Sequence, residues 1–275
     1  MPAFEAFARK AGVESPLRRE LLWKDLYRAA HLDVFTGIEA AVPGFESGVP
    51  AMVRELSRIR TRAKEAGPTM RAVIEEIDPN VAEVLGVPID PSPVHVVMVG
   101  AFTTNSAVGA VGDDVAVFHC VEWFQSVDGA RVLVAHEAAH AWHRLALRRA
   151  GETVPPDDDL LWMIFSEGLA TQASRAAAPN LAEVDYFWYG HPAMEDWVSW
   201  CEEHAGELRD LMAAAIDDPA AVERLFGAGF VDGRWRTGYH VADRLVASLG
   251  RTMPELVAMS VDEARRVVSD ALGSH

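Results

Sequence analysis

The chain has 275 residues, 50% of them hydrophobic and 24% charged, which is enough apolar material for one large globular domain or two lobes sharing a cleft. Its 25 lysines and arginines stand against 41 acids, and the net charge of −16 argues against general affinity for nucleic acid or anionic membrane, while favouring basic peptides. Only two cysteines occur, Cys120 and Cys201, which excludes a disulfide-stapled scaffold or a cysteine-rich zinc module and points to a reducing compartment.

Residues Met1 to Val13 lack the charged start, apolar stretch and cleavage site of a secretory signal. No eighteen apolar residues run together, the longest stretches being Val94 to Gly100 and Leu160 to Phe165, so no membrane span is expected. The expectation is a soluble, cytoplasmic protein, with its oligomeric state left open.

The first ninety residues read as helical. Ser15 can cap a helix opening at Pro16, with Leu17, Leu21, Leu22, Leu26 and Ala29 at helical spacing. Gly44 and Pro50 punctuate the pattern. A helix is expected over Ala51 to Lys64, with shorter pieces around Met70 to Ile77 and Val81 to Leu85. The joint at Pro88, Pro91 and Pro93 then marks a boundary between an N-terminal helical region, 1–90, and a second region, 91–275.

Past that joint, Val94, Val96, Val97 and Val99 are strand-like, as are Val115, Val117, Phe118 and Val121, with the glycine-rich Thr103 to Asp114 between them. A hairpin or short meander is expected, and its exposed edge could hold an extended peptide at Asn105 and Gly109. Helical pattern returns over Arg131 to Ala150, closed by Gly151, and over Leu160 to about Ala177, closed by Pro179. The remainder is mostly helical. The fold class is therefore α+β and mostly helical, a small sheet packed on one helix between N- and C-terminal helical lobes. The aromatic stretch Tyr186 to Trp200 reads as core.

Within Arg131 to Ala150 stand His136, Glu137 and His140. Residues four apart share a helix face, so two imidazoles can grip one ion, and Glu137 projects beside them as a base for an activated water. A surface helix with two ordinary histidines fits poorly, because Val132, Leu133, Val134, Ala135, Ala138, Ala139, Ala141 and Trp142 make the helix apolar. Burying two imidazoles and a carboxylate unpartnered would cost several kcal/mol, and a divalent cation satisfies all three.

A catalytic zinc takes three protein ligands and keeps one position open. His143 lies a turn too far along the helix and reads as a packing or supporting residue. Glu167, 27 residues past His140 on the next helix, is the expected third ligand. Gly168 beside it would let that helix approach the histidine helix closely. Cys120 reads as a buried small residue, and His191, His204, Cys201 and the run Asp157 to Asp159 read as packing, surface or capping residues.

His136, Glu137 and His140 followed by Glu167 resemble the gluzincin zinc metallopeptidases, the thermolysin-like superfamily. The run Ser166 to Ala170 resembles an uncharacterised branch with a Glu-Gly-Leu-Ala signature. The likeness spans roughly Val94 to Gly250. It implies zinc, a peptide or protein substrate, and a strand along the cleft, which Val111 to Val121 would match. It also implies an oxyanion donor from a later helix, for which Tyr239 stands first and His240 behind it. Thr171 stands where thermolysin-like enzymes carry an aspartate supporting a ligand histidine. The expected function is a zinc metallohydrolase acting as a peptidase. The alternatives are a noncatalytic zinc staple, or a zinc hydrolase of a non-peptide amide.

Overall fold

In the computed structural model, which describes residues 2–273, Ser15 takes an extended conformation and its hydroxyl accepts the Arg18 amide, opening a helix with Pro16 in its first turn as the sequence pattern predicts. The chain divides into two units, 1–76 with 91–130, and 77–90 with 131–275.

The first unit begins with helices α1 (Pro2–Ala11), α2 (Pro16–Leu22), α3 (Leu32–Ala41) and α4 (Val49–Arg54); a π-helical turn, Trp23–Arg28, follows α2 directly. Phe4, Phe7, Trp23, Tyr27 and Phe35 bury their rings together, with centroids 4.8 to 5.8 Å apart in the closest pairs. The buried Tyr27 hydroxyl donates to the Val99 carbonyl and accepts the Val99 amide, so that hydroxyl is fully paired.

Helix α5 (Leu56–Leu85) is one continuous element of 30 residues that runs through Pro68 and Pro79, where the sequence pattern suggests separate pieces over Ala51 to Lys64, Met70 to Ile77 and Val81 to Leu85. The reason is its buried stripe: Leu56, Ile59, Ala63, Ala66, Met70, Val73, Ile77, Val81 and Leu85 recur at three- and four-residue intervals across both prolines. Each proline removes a backbone hydrogen bond at a cost of about 3 kcal/mol, and the burial of nine apolar side chains outweighs it.

Strands β1 (Val94–Met98), β2 (Ser106–Val111) and β3 (Asp114–Cys120) form a mixed sheet in the order β1-β3-β2, parallel between β1 and β3 and antiparallel between β2 and β3. The glycine-rich stretch thus contains a strand of its own. Gly112 closes the β2–β3 turn at a left-handed φ of 60°. One face of β2 lies against α3. A Cβ on Gly37 would sit 2.0 Å from the Ala110 carbonyl oxygen, and one on Gly109 would sit 3.0 Å from the Ala41 Cβ, so two glycines permit the approach. Asn105 is tied in by its carbonyl, which accepts the Cys120 amide, and by its side chain, which accepts the Ser106 amide.

The second unit contains helices α6 (Val127–Ala150, from Arg131), α7 (Leu160–Ala177), α8 (Asp185–Trp188), α9 (Trp197–Glu203), α10 (Ala205–Ala214) and α11 (Ala221–Leu225). A two-stranded ribbon of β4 (Phe230–Val231) and β5 (Arg234–Trp235) precedes α12 (Thr237–Ser248), α13 (Met253–Val257) and α14 (Val261–Gly273). The fold is mostly helical α+β, as expected. No helix among the described residues is long and apolar enough to cross a membrane.

Helix α7 is the scaffold of this unit. Asp159 caps its start by accepting the Trp162 amide, and α12 packs along it at very short range. A Cβ on Gly168 would lie 2.3 Å from the Ala242 carbonyl oxygen and 2.5 Å from Val246 Cγ2. The glycine does serve a close approach, but its partner is α12 and not the histidine helix. The same seam carries a polar lock. Asp243 of α12, fully buried, accepts from Gln172 Nε2 at 2.6 Å and pairs with Arg175 Nη2 at 3.0 Å, and Arg175 also grips Glu183.

Candidate metal centre

The helical spacing of α6 places His136 and His140 on one face, with their Nε2 atoms 3.1 Å apart. From α7, Glu167 brings Oε2 to 2.9 Å from His136 Nε2 and Oε1 to 3.5 Å from His140 Nε2. One ligand atom from each residue lies within 4.8 Å of the others, and this is the one such group of three among the described residues. His136 is buried, whereas His140 and Glu167 keep a partial opening to solvent, at 16% and 12% side-chain exposure.

These residues fit a divalent cation. Ligand atoms about 2.0 to 2.1 Å from a tetrahedral zinc stand about 3.3 Å from each other, close to the three separations seen here. The donor set also converges: two imidazole Nε2 atoms and a carboxylate face one point. A cation lets both Nε2 atoms present lone pairs, as the Nδ1 of His140, 3.1 Å from Ser166 Oγ, already allows.

Electrostatics follow the geometry. Burial holds His136 below the usual imidazole range against the pull of Glu167. At His140 burial acts in the same direction, but Glu167 and Glu137 outweigh it and raise the group. Burial would raise Glu167, yet the two imidazoles hold it well below the usual carboxylate range. Glu137, half-buried beside His136, is pushed up to about 7, first by burial and then by Glu167.

Tyr239 stands in the first turn of α12, its ring 6.2 Å from that of His136. Burial, and then Glu167, push its phenol above the usual range. His240 is buried against Phe187 and Trp197, with ring centroids 5.7 and 6.3 Å away, and burial followed by Arg244 lowers it to about 4. His143 packs on Trp162 and Phe165 one turn beyond His140. Asn105 and Gly109 belong to the first unit.

Three residues of this site escaped sequence reasoning. Ser166 lay inside the Glu167 motif, but nothing along the chain showed that its hydroxyl would meet His140. Tyr189 belongs to the stretch that reads as core, yet its ring stands 5.4 Å from that of His136. Arg236 belongs to the run that contains Tyr239, and its guanidinium lies 4.0 Å from the Tyr239 ring centroid and 5.3 Å from that of Tyr189. Both Tyr189 and Arg236 take left-handed backbone angles, φ 55° and 59°, uncommon for side chains of this size. Searches against protein-family models, curated proteins and solved structures found no match to the chain.

Proposed function

We propose that the protein is a zinc-dependent metallohydrolase of gluzincin type, a peptidase that adds water across an amide bond. The observation that carries the reading is the convergence of His136 and His140 from one helix with Glu167 from the next. Zinc is favoured by the donor set, two imidazoles and one carboxylate.

A zinc ion held by these three side chains supplies a Lewis acid that polarises a carbonyl and brings the pKa of water toward about 7. Glu137, adjacent to His136, takes the proton of the attacking water on a carboxylate oxygen and returns it to the departing amine nitrogen. Tyr239 donates its hydroxyl proton in a hydrogen bond to the oxygen that gains charge at the carbonyl, with His240 next to it in α12. Ser166 holds the His140 ring so that its Nε2 faces the ion.

The test is metal analysis together with a peptide-library digest of the wild type and Glu137→Gln. About one zinc per chain is expected in both, with cleavage by the wild type alone. Equal turnover by the variant would remove Glu137 from the chemistry. Zinc binding without turnover in either would favour a metal that only staples α6 to α7.

A further inference from the structure

Arg236 stands at the junction between β5 and α12, half-buried, with Nε and Nη2 fully enclosed and without a hydrogen-bond partner. It forms no ion pair among the described residues. Its guanidinium carbon lies 4.0 Å from the Tyr239 ring centroid, 5.3 Å from that of Tyr189 and 5.9 Å from that of Trp188, and both tyrosines interact with it through their side chains, leaving Nε and Nη2 as the unmade bonds. The two tyrosine rings beside it are the ones that stand 5.4 and 6.2 Å from the His136 ring, and its charge acts on His136, Glu137 and Glu167, so the guanidinium lies next to the ligand cluster.

A buried guanidinium with unmade hydrogen bonds is costly, and the ordinary remedy is a carboxylate of the same chain. The second unit uses that remedy elsewhere, binding Arg175 to both Asp243 and Glu183. Arg236 lacks it, although the chain carries 41 acidic residues. Glu167 is engaged with the two histidines, and Glu137 is the one other carboxylate among the groups acting on Arg236 or acted on by it near the cluster. A divalent cation and one guanidinium against two carboxylates leave a net positive site. A planar fork with two free N–H groups matches one ligand class best, a carboxylate bound through both oxygens.

Building on the metallohydrolase reading, we infer that Arg236 is a specificity residue that binds a substrate carboxylate close to the bond being hydrolysed, so that the site selects peptides with a free C-terminus or an acidic side chain at that place. The aromatic rings of Tyr189 and Tyr239 hold the fork flat and in place, and the strained backbone at Tyr189 and Arg236 fixes both side chains.

Binding without turnover tests this. The full-length Glu137→Gln protein, zinc-loaded and again after chelation, is titrated calorimetrically with N-acetyl-trialanine as the free acid, with its C-terminal amide, and with N-acetyl-Ala-Asp-Ala amide. One of the two carboxylate peptides is expected to bind about 30-fold more tightly than the uncharged amide, and which one does so identifies the source of the carboxylate. Adding Arg236→Gln should reduce that peptide to the affinity of the uncharged amide while leaving zinc stoichiometry unchanged. Arg236→Lys, which keeps the charge and the fold but not the fork, should retain only part of the preference. Equal binding of all three peptides, or a preference that survives Arg236→Gln, overturns the inference. A chain that binds no zinc and cleaves nothing would instead defeat the metallohydrolase reading, because the carboxylate preference is read separately in the chelated protein.

Discussion

At His140 the supporting group is a hydroxyl. Ser166 meets Nδ1 at 3.1 Å, and Thr171 spends its hydroxyl on the Glu167 carbonyl one turn back, so the histidine support comes from the residue before the glutamate ligand. Removing such a partner loosens ring orientation, and Ser166→Ala should weaken zinc affinity by about tenfold in a competition titration with a chelating dye. In the first unit, a second residue sets a pH dependence of its own. Glu122 is buried, accepts the Gly100 and Phe102 amides, and is pushed by burial from 4.5 up to about 7. Between those values the folded state holds a proton that the unfolded state has lost. Stability therefore falls as pH rises through this window, by about 3 kcal/mol in total. Urea midpoints across pH 4.5 to 7.5 should show this decline in the wild type and a flatter profile in Glu122→Gln. A parallel slope in both would assign the effect to other groups. His136, Glu137 and His140 were legible in the sequence because a helix fixes which residues share a face. Ser166, Tyr189 and Arg236 were not, because their roles depend on which elements meet.

Gly168 shows the same division between elements. Its presence beside Glu167 predicted a close helix contact, and the contact exists, but the sequence holds no record of whether the neighbour is α6 or α12. Gly168→Ala gains about 1 kcal/mol of helix propensity, yet its methyl would collide with the Ala242 carbonyl, so a net loss of about 2 kcal/mol is expected in thermal or denaturant unfolding. A stabilised variant would mean that α7 and α12 are free to separate. Asp243 locks the same seam. Asp243→Ala leaves Arg175 with Glu183 alone and takes the carboxylate partner from Gln172, and it should cost about 1 to 3 kcal/mol in denaturant unfolding. Helix α5 shows the converse failure. Pro68 and Pro79, strong local breakers, fall in the gaps between the expected pieces, yet a buried stripe holds the helix together, because propensity is local and burial is not.

For the whole molecule, the mostly helical α+β class and the two helices that carry the candidate ligands were readable from periodicity. The strand order β1-β3-β2 was not, since nothing local distinguishes a neighbour in sequence from a neighbour in the sheet. The metal reading has a global consequence too. An ion bound only by the folded chain stabilises it by about 2.7 kcal/mol at a hundredfold excess over Kd, so chelation should lower Tm by roughly 5 to 10 °C. The most direct measurement is the zinc X-ray absorption spectrum of the protein loaded with one equivalent. The account predicts a first shell of nitrogen and oxygen at about 2.0 to 2.1 Å with the outer-shell signature of two imidazoles, one of which is lost in His140→Ala. Sulfur at about 2.3 Å, or a shell unchanged by both His140→Ala and Glu167→Gln, would contradict it.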